Sequence, residues 1–295
     1  VYAISETLQQ AIYENRPQRV LFEFENGNTV FSNEDIAVSA GVKLLAPFNA
    51  ENDVTVGLTP SAQLTFTMLN GEGQLAEFGF GRFKAWIGAQ VVTGTPAANA
   101  KTATYTEHGQ EAVYEFSPLG HFIATRPNVV STTMIDVEAH DYMMLFEKAM
   151  VSATELGITY PTTLLQLTQA LIGYVNRTEN TDITLKSTDF LNASLSIAAH
   201  PKNYEDKTLR EVLGWCAEAA GSIARFTRDG QLEFAWFKTV NRQYTMHDYT
   251  EYKPYWYEVG QVDDVRVRNQ DQTSETTVTS QSGNPYVIQG NPFLS

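Results

Sequence analysis

Apolar side chains recur along this chain first at helical spacing, then at alternating spacing, then at helical spacing again, and that order predicts its organisation. Ile4, Leu8, Ala11 and Ile12 share one helical face, which predicts a short helix closed by Pro17. A β-rich stretch follows. Val20, Phe22 and Phe24 alternate with other side chains, and Glu25-Asn26-Gly27-Asn28 supplies a turn. Residues 62–70 alternate more cleanly: Leu64, Phe66 and Met68 are expected to face a core, with Gln63, Thr65 and Thr67 opposite and a turn at Asn70-Gly71. Residues 78–80 and 83–91 continue the strands, and Gly79, Gly81 and Gly88 fit bulges or the sharp bends of a small barrel. Residues 93–104 read as a loop or hairpin tip. Residues 112–116 and 120–124 read as two further strands separated by Ser117-Pro118.

The pattern turns helical after Arg126-Pro127. Tyr142, Leu145, Phe146, Ala149, Met150, Ala153 and Leu156 follow an amphipathic period that Gly157 closes. Pro161 precedes a second helix over 162–175, in which Thr163 and Gln166 are spaced as a capping box. A third helix begins at Thr208 with Glu211 in the matching position, and it carries Leu209, Val212, Leu213, Cys216, Ala219 and Ala220 on its apolar side. A hairpin follows over 223–237. A three-residue loop, 228–230, with Gly230 left-handed, pairs Phe226 with Leu232 and Ala224 with Phe234. This register gathers the apolar residues on one face, so it is preferred to a two-residue Asp-Gly loop.

Beyond about Val240 the chain is first aromatic and then polar. Tyr249, Tyr252, Tyr255, Trp256 and Tyr257 crowd together. Val262, Val265 and Val267 predict a strand, 268–284 reads as an exposed or disordered loop, and Tyr286-Val287-Ile288 as a short strand.

Composition narrows the function classes. The chain has 295 residues, enough for two or three domains, and 43% of them are hydrophobic, enough for folded cores. Its 20 Lys and Arg against 34 Asp and Glu give a net charge of −14, a field that repels phosphates and anionic lipid. Stable nucleic-acid binding is therefore not expected. Cys216 is the single cysteine, which excludes an intrachain disulfide and any multi-cysteine metal site. No stretch is apolar for long enough to cross a bilayer, so membrane insertion by this segment is not expected, and the N-terminal residues lack a signal-peptide pattern.

Candidate chemistry is sparse. The five histidines, His108, His121, His140, His200 and His247, match neither a zinc-protease helix nor a cysteine pair. Asp136, His140 and Asp141 can be read as a metal trio or as an ordinary surface cap, and the second reading is preferred. Nucleophile elbow, phosphate loop and dinucleotide fingerprint are missing from the sequence, and Gly79-Phe80-Gly81 suits a bent strand better than a phosphate cradle. The carboxylate pairs Glu72 with Glu77 and Asp263 with Asp264 are what an acidic surface gives by chance. Cys216 sits on an apolar helix stripe and reads as a buried small hydrophobe. The expectation is an α+β protein with no catalytic residues, cofactor or metal. The aromatic group from Tyr249 to Tyr257 stays open between a core or inter-domain seam, a subunit interface and a sugar-stacking surface.

Several segments, taken in order, resemble the baseplate-hub and tail-tip proteins of phages and prophages, including the amino-terminal part of tail-associated lysins. They are Val20-Leu21-Phe22-Glu23-Phe24 with its turn, Phe31-Ser32-Asn33-Glu34-Asp35-Ile36 and Leu64-Thr65-Phe66-Thr67-Met68-Leu69-Asn70. Further on come Thr208-Leu209-Arg210-Glu211-Val212-Leu213-Gly214-Trp215, the hairpin ending Gly230-Gln231-Leu232-Glu233-Phe234, and Tyr286-Val287-Ile288-Gln289-Gly290-Asn291-Pro292-Phe293-Leu294. The resemblance implies a tail-tube-like β-barrel domain over 1–126, an inserted mixed α/β domain over 127–240, and the first part of a second barrel-like domain, cut short, over 241–295. It implies a homotrimer whose paired barrels imitate a six-fold ring. The implied partners are a distal tail or tail-tube protein on one side and a spike, lysin or fibre module on the other. The implied place is the virion tail tip, after synthesis in the bacterial host cytoplasm. The alternatives are a carbohydrate- or receptor-binding module of such a tip and, behind it, a cell-wall hydrolase.

Overall fold

A computed structural model of the chain describes residues 4–25, 29–37, 41–45, 56–71, 81–91, 101–107, 109–125, 128–236, 264–268, 275–277, 285–288 and 291–294. The backbone groups into two compact units. Unit 1 comprises Val1–Ala50, Pro60–Met144 and Phe226–Leu232; unit 2 comprises Glu51–Thr59, Leu145–Arg225 and Glu233–Ser295.

Unit 1 is built on an antiparallel nine-stranded sheet. Its strands are β1 (Gln18–Phe24), β2 (Val30–Ser32), β3 (Lys43–Leu45), β4 (Gln63–Leu69), β5 (Arg82–Gln90), β6 (Lys101–Glu107), β7 (Gln110–Ala124), β8 (Asn128–Ser131) and β9 (Met134–Asp141). The order is β2-β1-β5-β7-β9-β4-β3, with β6 paired to β7 and β8 to β9. The sheet thus runs on past Arg126-Pro127 to Asp141. Alternation decides which way each strand faces. Leu64, Phe66 and Met68 of β4 are buried, whereas Gln63, Thr65 and Thr67 are partly exposed. The same inner face takes Phe22, Phe24, Phe83, Phe122, Ile135 and Val137. Its rings interlock: Phe22 stacks on Phe66 at 4.2 Å between centroids, and Phe83 stacks on Phe24 at 4.6 Å.

The described strands do not close a barrel, which corrects the expectation of closed barrel walls. The path ends at β2 and β3. After a 3-10 turn over Asn33–Asp35, the chain returns to β4 through a single bridge, Ile36 to Met68, and one bond from the Ala37 N–H to the Thr67 carbonyl at 2.9 Å. The physical reason is competition for one edge. β3 already pairs with β4 from Gln63 to Thr65, which leaves room for a bridge but not a ladder.

The opposite face of β1, β5 and β7 is also apolar. Leu21, Ala112, Tyr114 and Phe116 are buried there against Trp86, Ala103 and Tyr105. Arg19 lies over the Tyr105 ring at 4.2 Å, and Glu23 accepts from the Trp86 indole N–H at 2.8 Å while pairing with Lys101. The helix predicted at the start is α1 (Glu6–Tyr13), whose Leu8 and Ala11 pack on Ala89. Its N-cap Ser5 accepts from the Leu8 N–H and donates to buried Glu115 at 2.7 Å.

Two readings of the sheet are corrected. The expected pair of strands at 112–116 and 120–124 is one strand, β7. Ala85 pairs with Gly120 and Trp86 with Pro118, so Leu119 is the extra residue of a bulge. The strand β5 pairs on both sides of it, which turns the Ser-Pro break into a bend. Residues 101–104, assigned to a loop from the sequence, begin β6.

Unit 2 contains α2 (Ala153–Leu156), β10 (Thr162–Thr163), α3 (Leu164–Glu179), β11 (Ser196–Ile197) and α4 (Leu209–Ala219). Both predicted capping boxes form. Thr163 accepts from the Gln166 N–H at 3.2 Å and Gln166 from the Thr163 N–H at 3.0 Å; Thr208 and Glu211 do the same at 3.1 and 2.7 Å. The amphipathic run 142–156 is not one helix. It is a 3-10 turn over Tyr142–Glu147, an extended link and the four-residue α2. Tertiary pairing overrides its period, because Ala149 bridges Thr208 and the Met150 N–H bonds the Lys207 carbonyl.

Strands β12 (Ile223–Phe226) and β13 (Leu232–Ala235) form the predicted hairpin. The Thr227 N–H bonds the Gln231 carbonyl at 2.8 Å, and Gly230 has φ +73°, so the loop has three residues as the apolar register requires. Strand β14 (Asp264–Arg268) lies between β15 (Glu275–Thr277), antiparallel, and β16 (Pro285–Ile288), parallel. The stretch 268–284, expected to be a loop, therefore contains a strand.

Candidate functional site

The described residues offer two kinds of surface: sheet edges in unit 1 and one face of α4 in unit 2. Strand β3 leaves Leu44 and Leu45 exposed, the latter at 59%. Strand β8 leaves Val129 and Val130 exposed at 59% and 53%. Two outward residues, Leu69 and Met134, are cross-strand partners at the end of β4 and β9 and are exposed as well. Among the described residues, these strands carry exposed apolar side chains, which edge strands of a sheet usually avoid.

Between these edges lies a polar groove of about 460 Å³, lined among others by Lys43, Thr65, Thr67, Asn128, Asp136 and Glu138. Its charged groups are tied to the sheet. Thr67 donates to Asp136 at 2.6 Å, and Gln63 donates to Glu138 at 2.6 Å. This is a cross-strand ladder that follows from the β4–β9 register, Thr67 opposite Asp136 and Thr65 opposite Glu138.

That register also separates the sequence's metal trio. Asp136 and His140 occupy the outward positions of β9, His140 lying 3.2 Å from Glu138. Asp141 is buried on the other side, where it accepts from the Ser61 hydroxyl, the Ala62 N–H and the Met143 N–H. No cluster of three metal-ligating side chains occurs among the described residues. His108, His247, Glu72, Glu77 and Asp263 lie outside the described residues, as do the interface candidates Tyr249, Tyr252, Tyr255, Trp256 and Tyr257.

In unit 2, one face of α4 borders a cavity of about 440 Å³, with Arg210, Gly214, Trp215 and Glu218 on the helix, Lys207 just before it, and Val56, Gly57 and Thr59 across it. The crossing is tight because a glycine stands on each side of the contact, Gly214 in α4 and Gly57 in a turn. A Cβ on Gly214 would sit 2.9 Å from the Gly57 carbonyl oxygen, and Gly57 itself has φ +84°. Arg210 fixes the approach by donating from Nε to the Thr59 carbonyl at 3.0 Å, and it pairs with Glu147. On the opposite face Cys216 is buried, and burial pushes its thiol up to about 12. That side chain packs as a small hydrophobe and is no nucleophile at neutral pH.

His200 was not singled out by the sequence. Its Nδ1 lies 3.1 Å from the Tyr160 hydroxyl, and its ring is edge-on to Tyr204 at 4.5 Å. Its Nε2 is buried without a hydrogen bond, although the Val151 backbone faces it closely enough to favour the charged ring. Burial outweighs that influence and the Glu205 charge, and holds the imidazole below its ordinary 6.5. The folded state thus binds this proton less readily than the unfolded chain. The stability contribution is full above about pH 6.5 and is lost as pH falls below it toward the folded value. Thermal melts from pH 7.5 to 5 are expected to show a decline that is shallower in a His200→Gln variant. Parallel declines would rule this out.

No family model matches the chain, and no curated protein matches it. Among solved structures, the chain is similar to the 43 kDa tail protein of prophage MuSo2 from Shewanella oneidensis. The identity is 11% and the TM-score 0.46, over 92% of this chain and 71% of that one. It is also similar to prophage tail protein gp18 from Listeria monocytogenes EGD-e, with 9% identity and a TM-score of 0.42 over 93% of this chain and 73% of that one. Both are distant likenesses of chain course.

Proposed function

We propose that the chain is a structural, non-enzymatic subunit of a phage-type tail tip, related to baseplate-hub proteins, that assembles as a trimeric ring of pseudo-six-fold symmetry. The observation that carries this reading is the pair of exposed apolar strands that the described residues place on one sheet, Leu44 and Leu45 on β3 at an end of the strand order and Val129 and Val130 on β8 beside β9. A ring closes through a heterologous interface, in which one patch of each copy meets a different patch of the next. Two dissimilar exposed apolar strands of the described sheet, β3 and β8, would supply both patches. The ordered series of segments that resembles the hub family supports the same reading, since they fold as β1, the turn after β2, β4, α4 and the β12–β13 hairpin.

In this reading the unit 1 sheet is a tube-like wall whose seam is the Ile36–Met68 bridge. The ring joins a distal tail or tail-tube protein to a spike, lysin or fibre module, and it resides in the virion tail tip after synthesis in the bacterial host cytoplasm. Native mass spectrometry over a range of concentrations is expected to show a trimer. Leu45→Lys combined with Val129→Lys is expected to yield monomers with an unchanged circular dichroism spectrum. A wild-type monomer at every concentration, or a trimer that ignores both charges, would sink the proposal.

A further inference from the structure

The cavity of about 440 Å³ beside α4 joins an aromatic wall to a rim of hydrogen-bonding groups. The wall is Trp215, and its pose is fixed from behind. An Asn-Pro-Phe turn over residues 291–294 is seated on α4 within unit 2. Asn291 Nδ2 donates to the Trp215 carbonyl at 3.0 Å and to Glu218 Oε2 at 2.7 Å, and the Phe293 ring meets the indole edge-on at 5.9 Å. Asn291 and Phe293 are buried, whereas Trp215 is only half-buried and lines the cavity. The rim is tied down without being saturated. Lys207 donates to Glu211 at 3.2 Å and has further ammonium hydrogens to give. The Thr59 hydroxyl accepts from Arg210 Nε at 3.2 Å and keeps its own proton to donate. Glu218 meets Asn291 through Oε2, and its other oxygen has no partner among the described residues.

Each property narrows the ligand. The two cations of the lining, Lys207 and Arg210, are balanced by its two carboxylates, Glu211 and Glu218, so no net charge is favoured inside. The chain's net charge of −14 turns anions away from outside. A hydrocarbon would cover these polar groups without hydrogen-bonding them, which is costly. The match is a ring with an apolar C–H face for the indole and an edge of hydroxyls that both donate and accept. We infer that the cavity binds a short neutral saccharide: one sugar ring lies against Trp215, Glu218 accepts from its hydroxyls, and Lys207 and Thr59 donate to them. The inference goes beyond the tail reading and stands without it. The volume is that of a small-molecule site, and a few placed polar groups beside an aromatic wall are how such sites orient a ligand. Burial raises the Glu218 carboxyl above its ordinary range, and a carboxylate already stripped of water gives up less on meeting a hydroxyl. The fixed indole likewise loses little freedom on binding.

The test uses the full chain and calorimetry with glucose, galactose, N-acetylglucosamine, cellobiose, lactose and chitobiose, and with glucuronic acid as the charged control. Saturable binding of at least one neutral sugar is expected, about tenfold tighter than that of glucuronic acid. Raising the salt about tenfold is expected to change that affinity by less than about twofold, because no net charge is being paired. Trp215→Ala is expected to abolish binding, and Trp215→Phe, which keeps an aromatic wall, to retain it in weakened form. Glu218→Gln is expected to weaken binding about tenfold, the loss typical of one charge-assisted hydrogen bond. Circular dichroism checks the fold of each variant. If Trp215→Ala fails to fold, Glu218→Gln decides, since it keeps an oxygen for the Asn291 amide. No binding by any neutral sugar of the set, tighter binding of glucuronic acid, or an affinity that Glu218→Gln leaves unchanged would overturn the proposal.

Discussion

Phe83→Ala is expected to lower the stability of the chain by about 4 kcal/mol, the usual cost of truncating a fully buried Phe. Phe83 is 1% exposed. Its ring meets Phe22, Phe24, Phe66 and Phe122 at centroid distances of 5.7, 4.6, 6.0 and 5.8 Å. Those four rings come from β1, β4 and β7, so removing the central one undermines three strands together. The surrounding strands are held by paired backbones and cannot collapse fully into the space, so a cavity cost adds to the lost transfer energy. Urea unfolding followed by circular dichroism checks the value through the midpoint at constant slope. A shift equivalent to less than about 1 kcal/mol would show that the rings do not form a shared core.

Gly88→Ala is expected to cost about 3 kcal/mol, although it adds a single methyl group. A Cβ at this position would lie 2.6 Å from the Glu115 carbonyl oxygen and 2.7 Å from the Phe116 ring. The first neighbour is backbone and cannot turn aside. Gly88 pairs with Phe116 in the β5–β7 ladder, so relief requires the two strands to part. Buried Glu115, which receives the Ser5 hydroxyl, would be disturbed with them. Gly173→Ala on α3 is a control, because its added Cβ would meet only the far end of Arg177 at 3.7 Å. It is expected to be neutral or slightly stabilising by helix propensity. Equal effects of the two substitutions would refute the packing account.

How much of this was legible in the sequence depends on how local each cause is. The capping boxes at Thr163 and Thr208 were legible because four consecutive residues contain the whole interaction. The hairpin register was legible because Gly230 and the apolar pairing agree. The single strand β7 was not, because its bulge at Leu119 is imposed by β5 from outside the segment. Nor was the breakdown of the 142–156 helix, which residues 207 and 208 cause from far along the chain. That the described strands do not close likewise turns on β3 occupying part of the β4 edge, a competition that no window of sequence displays. On the candidate surfaces, the outward polar positions of β4 could be read from alternation. The exposure of Leu45 and Val129 could not, since it depends on which strands lie at the edge. The Asn-Pro-Phe turn offered a signal in its Asn-Pro pair, but its seat on α4 is a tertiary fact.

Unit 2 draws its contacts from stretches far apart in the chain: Arg210 grips Thr59 across a sequence separation of 151, and Asn291 reaches back 76 residues to Trp215. During synthesis, Gly57 and Thr59 leave the ribosome long before α4 exists to receive them, and α4 in turn waits for residue 291. The nascent chain must therefore complete unit 2 late, with apolar surface uncovered in the meantime. Such non-local closure slows folding relative to a helical bundle of the same size. Expression at reduced temperature or with added chaperone capacity should matter more for this protein than its modest helical half suggests.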